Sequence, residues 1–317
     1  MLTSTQLEFF ETNGYLIVED VFDADSVIKP VIAEYEAVLD GLIENWVSTG
    51  KLTPPATDAG FQEKLVHAYK NGCDYFQPLD ISLPTGDIEP DCPFHAGPAI
   101  FNLMTNNNLL NIVEQLIGDE ITSNPIQHVR IKPPATDLAG DEVRAHITKT
   151  SWHQDKAVTL EEADETRMVT VWCAITDATV DNGCLQVIPG SHRAEMIPHC
   201  PLPQVGIPDQ FIDEQAVTPM PVKSGGIVIF HPMTVHGSLA NETDGIRWSF
   251  DLRFNKTGQP TGRPQFPDFV ARSRANPDTE LRDPERWHQM WMDTRNKLGS
   301  ETTATYYRWS ADAPYCA

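Results

Sequence analysis

The feature that most constrains the fold of this chain is a succession of short apolar segments between residues 120 and 254. Each has the length of a β-strand and is rich in Val, Ile, Phe or Trp, and Pro and Gly punctuate the region. Such a pattern is typical of a β-sandwich or a jelly roll. About eight segments follow it: E-I-T-S-N, I-Q-H-V-R-I-K, R-A-H-I-T, M-V-T-V-W-C-A-I, C-L-Q-V-I, V-T-P-M-P-V, G-I-V-I-F and R-W-S-F-D-L-R-F.

Helical patterns lie on both sides of this β-rich region. Thr3 and Gln6 have the spacing of a capping box and predict a short helix, which the strand G-Y-L-I-V-E-D follows. From Asp23 to about Trp46 the apolar residues recur with the helical period, so a long amphipathic helix is expected there. Further helices are predicted at F-Q-E-K-L-V-H-A-Y-K, at L-L-N-I-V-E-Q-L-I-G and around Leu281–Leu298.

The chain is predicted to form a single domain, residues 1–317. No Ser/Gly-rich or Pro-rich linker divides it into comparable halves, and its length allows one sizeable core. We expect a helical N-terminal part over about 1–118, a β core over about 119–256 and a helical C-terminal extension over about 262–317. The irregular stretches 48–100 and 133–150 are candidates for loops that cover a site.

Charge and composition exclude several kinds of partner. The formal net charge of −22 disfavours nucleic acid and anionic membranes, which would be repelled. No apolar window of about 18 residues is present, and the acidic first segment does not resemble a secretion signal, so a cytoplasmic location is expected. The six cysteines form no C-x-x-C pair and are expected to be reduced thiols. The oligomeric state stays open.

The segment W-H-Q-D-K places His153 and Asp155 two residues apart, directly after R-A-H-I-T-K-T-S. If that run is a strand, both side chains lie on one face and converge. His236, in G-I-V-I-F-H-P-M-T-V-H-G-S, is distant in sequence but reachable across a jelly roll. Two histidines and one carboxylate that leave open positions suit Fe(II), whereas zinc more often takes three His or Cys. A surface turn is the simpler interpretation of H-x-D alone.

The segment R-W-S-F-D-L-R-F alternates apolar and polar residues. As a strand it presents four apolar side chains on one face and Arg247, Ser249, Asp251 and Arg253 on the other. If the apolar face packs against helices, the polar face looks into the barrel. A buried Arg247 then needs an anionic partner, which a carboxylate-bearing co-substrate or a local acid such as Asp251 would supply.

These motifs carry a resemblance to a known family. H-Q-D at 153–155, N-G-C-L-Q-V-I-P-G-S-H-R at 182–193, H-G-S followed by R at 236–247, and the opening F-F-E-T-N-G-Y-L-I-V-E-D-V-F resemble the phytanoyl-CoA dioxygenase (PhyH) family of Fe(II)/2-oxoglutarate-dependent oxygenases. The likeness covers about residues 5–255. It implies a mainly β fold with packed helices, in which a double-stranded β-helix (jelly-roll, cupin-like) core is flanked by α-helices.

The resemblance also implies roles for individual residues. His153, Asp155 and His236 would bind Fe(II), and Arg247 with Ser238 would hold the distal carboxylate of 2-oxoglutarate, the co-substrate. Dioxygen is the second co-substrate, and ascorbate is expected to support activity in vitro. Three further residues match positions that line the co-substrate pocket: Gln127, Lys132 and Trp172.

The remaining candidates concern the substrate. Arg253, on the face of Arg247, is the best candidate for binding an anionic substrate group, although Asp251 beside it could neutralise it. His146 and Lys156 are weaker candidates, because each could simply make a local hydrogen bond. His192, in a turn, is expected to be structural, and His231 is not expected to bind the metal.

The predicted function is a non-haem Fe(II)- and 2-oxoglutarate-dependent dioxygenase. It would oxidise an unactivated C–H of a small-molecule metabolite or natural-product intermediate, releasing succinate and CO2. Hydroxylation is the first expectation, with desaturation, epimerisation and cyclisation as other outcomes. One alternative is a jelly-roll enzyme that uses another divalent metal without 2-oxoglutarate. A second is a non-catalytic module that binds a metal or ligand.

Overall fold

Two antiparallel β-sheets form the centre of the protein in the computed structural model, which describes residues 1–201, 203–213, 216–300 and 305–316. The larger sheet has the strand order β1-β6-β3-β8-β2-β9, and the smaller one has the order β5-β4-β7. The strands are β1 Tyr15–Val18, β2 Glu120–Lys132, β3 Met168–Ala174, β4 Leu185–Val187, β5 Thr218–Met220, β6 Ile227–Phe230, β7 His236–Ser238, β8 Arg247–Lys256 and β9 Phe269–Ser273.

The two sheets pack face to face through a small apolar core. Trp172 and Phe230 from the larger sheet lie in one buried cluster with Leu185, Val187 and Met220 from the smaller sheet. The predicted jelly-roll core is therefore confirmed.

Helices cover the outer face of the larger sheet. They are α1 Ser4–Asn13, α2 Lys29–Ser48, α3 Phe61–Lys70, α4 Phe76–Leu79, α5 Pro98–Met104, α6 Asn107–Ile117 and α7 Pro284–Leu298. Trp248 of β8 stacks on Phe61 of α3 with a centroid separation of 5.0 Å and contacts Tyr35 of α2 at 5.1 Å. The apolar face of β8 thus points at the helices, as its alternation predicts. No helix in the described part of the chain is long and apolar enough to cross a bilayer.

The start of the chain is tied to the rim of the barrel. The capping box of Thr3 and Gln6 is present, and α1 ends at Gly14, whose φ of 78° is the left-handed conformation that glycine adopts most easily. A Cβ at Gly14 would lie 2.3 Å from Nδ1 of His192 and 2.6 Å from Oγ1 of Thr234. A side chain at this position would therefore clash. His192 packs here as a structural residue, as expected.

Two local predictions were wrong, and one strand was not predicted. R-A-H-I-T forms turns rather than a strand, because the carbonyl of Arg144 accepts hydrogen bonds from the amides of Ile147 and Thr148. The segments E-I-T-S-N and I-Q-H-V-R-I-K form a single strand, β2, with a register irregularity between them. β9, which was not predicted, adds to the edge of β2 inside the C-terminal extension, ahead of the helix that was predicted around Leu281–Leu298.

The prediction that all cysteines are reduced thiols was also wrong. Cys200 and Cys316 form a disulfide between residues 116 apart in sequence, whereas Cys73, Cys92, Cys173 and Cys184 are free. Nothing in the spacing of the cysteines indicates this pair, because only the fold brings the C-terminal segment 305–316 against the loop at Cys200. The bond attaches the end of the chain to the barrel.

The disulfide leads to a prediction about the C-terminal segment. Denatured but unreduced protein is expected to react with four equivalents of a thiol reagent, and reduced protein with six. Cys316→Ser should leave the barrel folded but release the segment 305–316, so that carboxypeptidase digestion shortens the variant faster than the oxidised wild type. Cys92→Ser is the matched control. Six reactive thiols in unreduced protein would contradict the pairing.

Candidate metal centre

The three predicted metal ligands meet between the two sheets. His153 forms an isolated antiparallel bridge with His236 at the start of β7, and each residue's amide donates to the other's carbonyl, at 2.8 and 3.0 Å. Asp155 begins a 3-10 turn, Asp155–Val158, directly after this bridge. The carboxylate reaches the histidines because the chain turns there, and not because two residues share a strand face as the sequence suggested.

The geometry of the two imidazoles fits a metal ion. Nδ1 of His153 bonds to the carbonyl of Ser151 at 2.8 Å, and Nδ1 of His236 bonds to that of Thr234 at 3.0 Å. Since a carbonyl only accepts, Nδ1 carries the proton in both rings and Nε2 keeps its lone pair. The two Nε2 atoms lie 3.5 and 3.9 Å from Oδ1 of Asp155. The three ligand atoms are within 4.8 Å of one another and are buried.

Asp155 is held as a carboxylate by its neighbours. Thr170 of β3 donates to Oδ2, and Arg253 of β8 pairs with Oδ1. Burial acts to raise the pKa of Asp155, but Arg253, His236 and His153 outweigh it and hold the pKa well below its usual range. Burial lowers the pKa of His236 to about 3. An ionised carboxylate beside a neutral imidazole is the protonation state that a divalent metal requires.

A second cluster of cations lies at the other end of β8. Arg247 is fully buried, donates from Nη1 to Ser249 at 2.7 Å and lies over Trp172, with Cζ 5.1 Å from the ring. Its Nε and Nη2 have no partner among the described residues. Lys132 of β2 donates to Oγ of Ser238.

No carboxylate of the described residues pairs with either cation of this cluster. The nearest acid, Asp251, is bonded to Arg130. Burial lowers the pKa of Arg247 to about 9, and burial together with Arg247 lowers that of Lys132 well below its usual value. Two desolvated cations without an acid form a site that favours an anion.

Gln127, the fifth predicted co-substrate residue, makes a different contact. Its amide donates to the carbonyl of Ile81 at 3.3 Å, which joins β2 to the segment that follows α4. The residue lies at the irregular part of β2, next to the register shift between Asn124 and His128. This hydrogen bond does not link Gln127 to the other four predicted co-substrate residues: Arg247, Lys132, Ser238 and Trp172.

A cleft of about 360 Å³ opens on the metal centre. Its lining includes the metal ligand His153, both Arg253 and His146, and Tyr307 from the C-terminal segment. His146 stacks on Phe76 at 4.2 Å, and its buried Nδ1 has no partner within the described residues. Two of the three predicted substrate residues thus lie in one cleft, beside the metal.

Lys156 lies elsewhere. Its ammonium group donates to the carbonyls of Ala163 and Thr166, at 2.8 and 2.9 Å, and burial lowers its pKa to about 8. The residue lines a larger groove of about 490 Å³ together with His192 and His231. None of the three metal ligands lines that groove, so its size does not make it the active site. The structure does not bring Lys156 together with the other substrate candidates.

Two histidines outside the triad, the buried His199 and the half-buried His231, lead to a pH prediction. Nε2 of His199 accepts the amide of Gln154 at 2.9 Å, and Nδ1 of His231 accepts that of Met233 at 3.1 Å, so both rings are held neutral. Burial lowers the pKa of each to about 4. In the unfolded chain a histidine titrates near about 6.5. Between these values the unfolded state binds more protons, so the free energy of unfolding should fall as the pH falls.

Urea denaturation of the metal-free protein at several pH values between about 7.5 and about 4.5 measures this effect. His231→Gln keeps an acceptor for Met233 but cannot be protonated, and it should make the loss of stability with acid shallower. His67→Gln, at a half-buried position on α3 away from both rings, is the control and should leave the slope unchanged. Equal slopes for wild type and His231→Gln would contradict the prediction.

Several contacts of the site were not found from the sequence. Thr170 and Trp172 are two residues apart on β3, and Arg130 and Lys132 are two residues apart on β2. The period of a strand therefore places the two residues of each pair on one face. That signal could have identified Thr170 and Arg130. Nothing in the local pattern could have identified Tyr307, which enters the cleft from the end of the chain.

The sequence is similar to those of known dioxygenases. A family model described as phytanoyl-CoA dioxygenase (PhyH) matches residues 10–249. A probable phytanoyl-CoA dioxygenase of Caenorhabditis elegans is 30% identical over 264 residues, covering 80% of this chain and 75% of the relative. Ectoine dioxygenase of Bordetella bronchiseptica is 22% identical over 296 residues, covering 86% and 83%.

Solved structures share the fold. The non-heme monooxygenase ThoJ in its apo form superimposes with a TM-score of 0.56 at 17% identity, over 93% of this chain and 97% of its own. The epimerase SnoN, solved with Fe3+, α-ketoglutarate and nogalamycin RO, has a TM-score of 0.51 at 20% identity, over 81% and 86%. The family model spans most of the sequence, including all three metal ligands. The chain therefore belongs to the phytanoyl-CoA dioxygenase family of Fe(II)/2-oxoglutarate-dependent oxygenases.

Proposed function

We propose that this protein is an oxygenase that uses Fe(II), 2-oxoglutarate and O2 to hydroxylate a C–H bond of a small molecule, releasing succinate and CO2. The observation that carries the proposal is a two-histidine, one-carboxylate site that lies near a buried cation cluster with no acid partner in the described part of the chain. Family membership supports the same chemistry. The bound iron, together with its two co-substrates, would supply the oxidant that attacks an unactivated C–H.

His153, Asp155 and His236 would hold the iron. Three protein ligands would leave room at the iron for 2-oxoglutarate and dioxygen, whereas a closed structural site would take all of its ligands from the protein. The carbonyls of Ser151 and Thr234 fix the tautomer and the orientation of the two rings. Thr170 and Arg253 orient the carboxylate in the same way.

Arg247, Lys132 and Ser238 would bind the distal carboxylate of 2-oxoglutarate, and the ring of Trp172 would line its pocket. The unpartnered Nε and Nη2 of Arg247 are donors ready for carboxylate oxygens. The cavity that the triad lines together with Trp172 measures only about 10 Å³, roughly the space of one water molecule. Binding a dicarboxylate would therefore require the side chains around it to move apart.

The substrate would enter through the 360 Å³ cleft, which His153, Arg253 and His146 line. Hydroxylation is proposed rather than desaturation, epimerisation or cyclisation because it needs no residue beyond those that place the C–H bond near the metal. The same fold carries a monooxygenase and an epimerase among the solved structures, so the fold does not select the outcome.

An anaerobic titration tests the proposal. Protein freed of metal is loaded with Fe(II), and 2-oxoglutarate is added while the visible charge-transfer band of the chelate is recorded. The band should appear in wild type, and Arg247→Met should need about 100-fold more 2-oxoglutarate, because about two charge-assisted hydrogen bonds are lost. His231→Gln, which touches neither cluster, is the control.

The result also separates the alternatives. Iron-loaded wild type that shows no band, although the metal is bound, would contradict the proposal and favour an enzyme that uses another divalent metal without 2-oxoglutarate. Failure to bind any divalent metal would favour a non-catalytic module. If the band does appear, addition of O2 to the wild-type complex with Fe(II) and 2-oxoglutarate should form succinate. A matched sample of His236→Ala should form none.

A further inference from the structure

The arginines that line the cleft beside the metal centre differ in whether a carboxylate neutralises them. Three of the four arginines that line it already have a carboxylate: Arg130 pairs with Asp251, Arg144 with Glu142 and Asp74, and Arg253 with Asp155. Arg253 was predicted to bind an anionic substrate group, but the carboxylate of the proposed metal ligand Asp155 already neutralises its guanidinium. A free cation has to be sought elsewhere in the cleft.

Arg263 is that cation. It lies between β8 and β9, lines the cleft and is only 3% exposed. Its Nη2 donates to the carbonyl of Val158 at 2.8 Å, which fixes the plane of the guanidinium. Nε and Nη1 have no partner among the residues that the structure describes, and no carboxylate forms an ion pair with the group there.

The surroundings of Arg263 position it without neutralising it. Cζ lies 5.4 Å from the ring of Tyr306 and 6.0 Å from that of Phe266, so two aromatic faces flank the guanidinium. Such contacts stabilise a cation by roughly 0.5–2 kcal/mol but leave its charge in place. Burial lowers the pKa of Arg263 to about 10, and the group is still protonated near neutral pH. A buried, protonated and unpaired guanidinium is costly unless an anion binds to it.

We propose that Arg263 is the anion anchor of the substrate cleft and that the substrate carries a carboxylate. This inference rests on the proposed function in one respect, namely that the cleft beside the triad is where the substrate binds. A single carboxylate fits better than a phosphate dianion, because Arg263 is the one arginine of the cleft wall whose charge no carboxylate of the described residues compensates. The anchor would hold one end of the substrate while another part of it lies near His153.

Paramagnetic relaxation tests the anchor without knowledge of the natural substrate. Wild-type protein is loaded with Mn(II) and saturated with 2-oxoglutarate, so that Arg247 is occupied. Benzoate and benzamide, which differ in charge and hardly in shape, are then titrated while the relaxation of their ring protons by Mn(II) is followed. Benzoate should bind at least about tenfold more tightly, because a charge-assisted hydrogen bond is replaced by a neutral one in the amide. Phenyl phosphate forms a third arm.

Variants identify the residue responsible. Arg263→Gln should remove the preference for benzoate over benzamide, and Arg263→Lys should restore part of it. Arg144→Gln is the matched control, because its guanidinium lines the same cleft but is paired with acids, and the preference should persist. Arg247→Met should also keep the preference, which shows that benzoate has not entered the co-substrate pocket. Thermal unfolding checks that each variant is folded.

The proposal is overturned by any of three results: equal binding of benzoate and benzamide to wild type or no binding of benzoate, a preference that survives in Arg263→Gln, or an Arg263-dependent preference for phenyl phosphate. Its failure differs from failure of the proposed function. The iron and 2-oxoglutarate titration described above does not involve Arg263, so a normal charge-transfer band without a benzoate preference removes only the anchor. A benzoate preference without that band removes only the oxygenase.

Discussion

Asp155→Ala is expected to abolish 2-oxoglutarate turnover and to weaken Fe(II) binding by at least about 100-fold. Loss of a residue that merely orients a ligand already costs about 10- to 100-fold in metal affinity, and Asp155 is a direct ligand in the proposed site. The variant should also be less stable without metal by about 3–5 kcal/mol, because removal of the carboxylate leaves the buried guanidinium of Arg253 unpaired.

Calorimetric titration with Fe(II) under anaerobic conditions and urea denaturation measure the two effects separately. Thr170→Ala, which removes only the hydrogen bond to Oδ2, is the matched control and should lose about tenfold in metal affinity. The double variant Asp155→Ala, Arg253→Met should recover much of the lost stability but none of the metal binding. Normal Fe(II) affinity in Asp155→Ala would remove this carboxylate from the metal site.

Arg247→Met is expected to change stability and function in opposite directions. Binding of 2-oxoglutarate should weaken by about 100-fold, since the donors of Nε and Nη2 are lost. The ligand-free protein should become more stable by about 1 kcal/mol or more, because a buried charge without an acid is replaced by an apolar side chain of similar length. Relief of the repulsion on Lys132 acts in the same direction.

Thermal unfolding with and without saturating 2-oxoglutarate gives both quantities in one experiment. Wild type should gain stability from the ligand, and Arg247→Met should show a higher melting temperature alone and almost no gain. Ser249→Ala, which removes one acceptor of Arg247, should weaken 2-oxoglutarate binding by about tenfold and give no gain in stability. A lower melting temperature of ligand-free Arg247→Met would show that Arg247 has an anionic partner within the protein.

The alternation along β8 was the most informative pattern in the sequence. It correctly separated the face that carries Trp248 and Phe250, which packs on the helices, from the face that carries Arg247 and Arg253. The register of a strand that helices cover on one side is fixed, because a slip by one residue would bury the charged side chains against the apolar helices. Periodicity therefore predicts such a strand well.

Contacts between distant segments were beyond the reach of the local pattern. From the sequence alone, either Asp155 or Asp251 could be the partner of Arg253. The fold pairs Arg253 with Asp155 and Arg130 with Asp251. The same holds for β9, a short strand that is defined by the edge of β2, and for the disulfide between Cys200 and Cys316. In each case the partner is chosen by tertiary packing, which a window of neighbouring residues does not contain.

The match to the family model ends at residue 249, and three residues of the cleft wall, Arg253, Arg263 and Tyr307, come after it. Arg263 and Tyr307 line the cleft from this later part of the chain, and the bond to Cys200 holds its end in place. This later part of the wall, which includes the proposed anchor Arg263, is therefore encoded apart from the three proposed iron ligands, which all lie within the matched region. Mutations after residue 256 are a route by which evolution, or a laboratory selection, can exchange one substrate for another while the oxidative machinery is inherited unchanged.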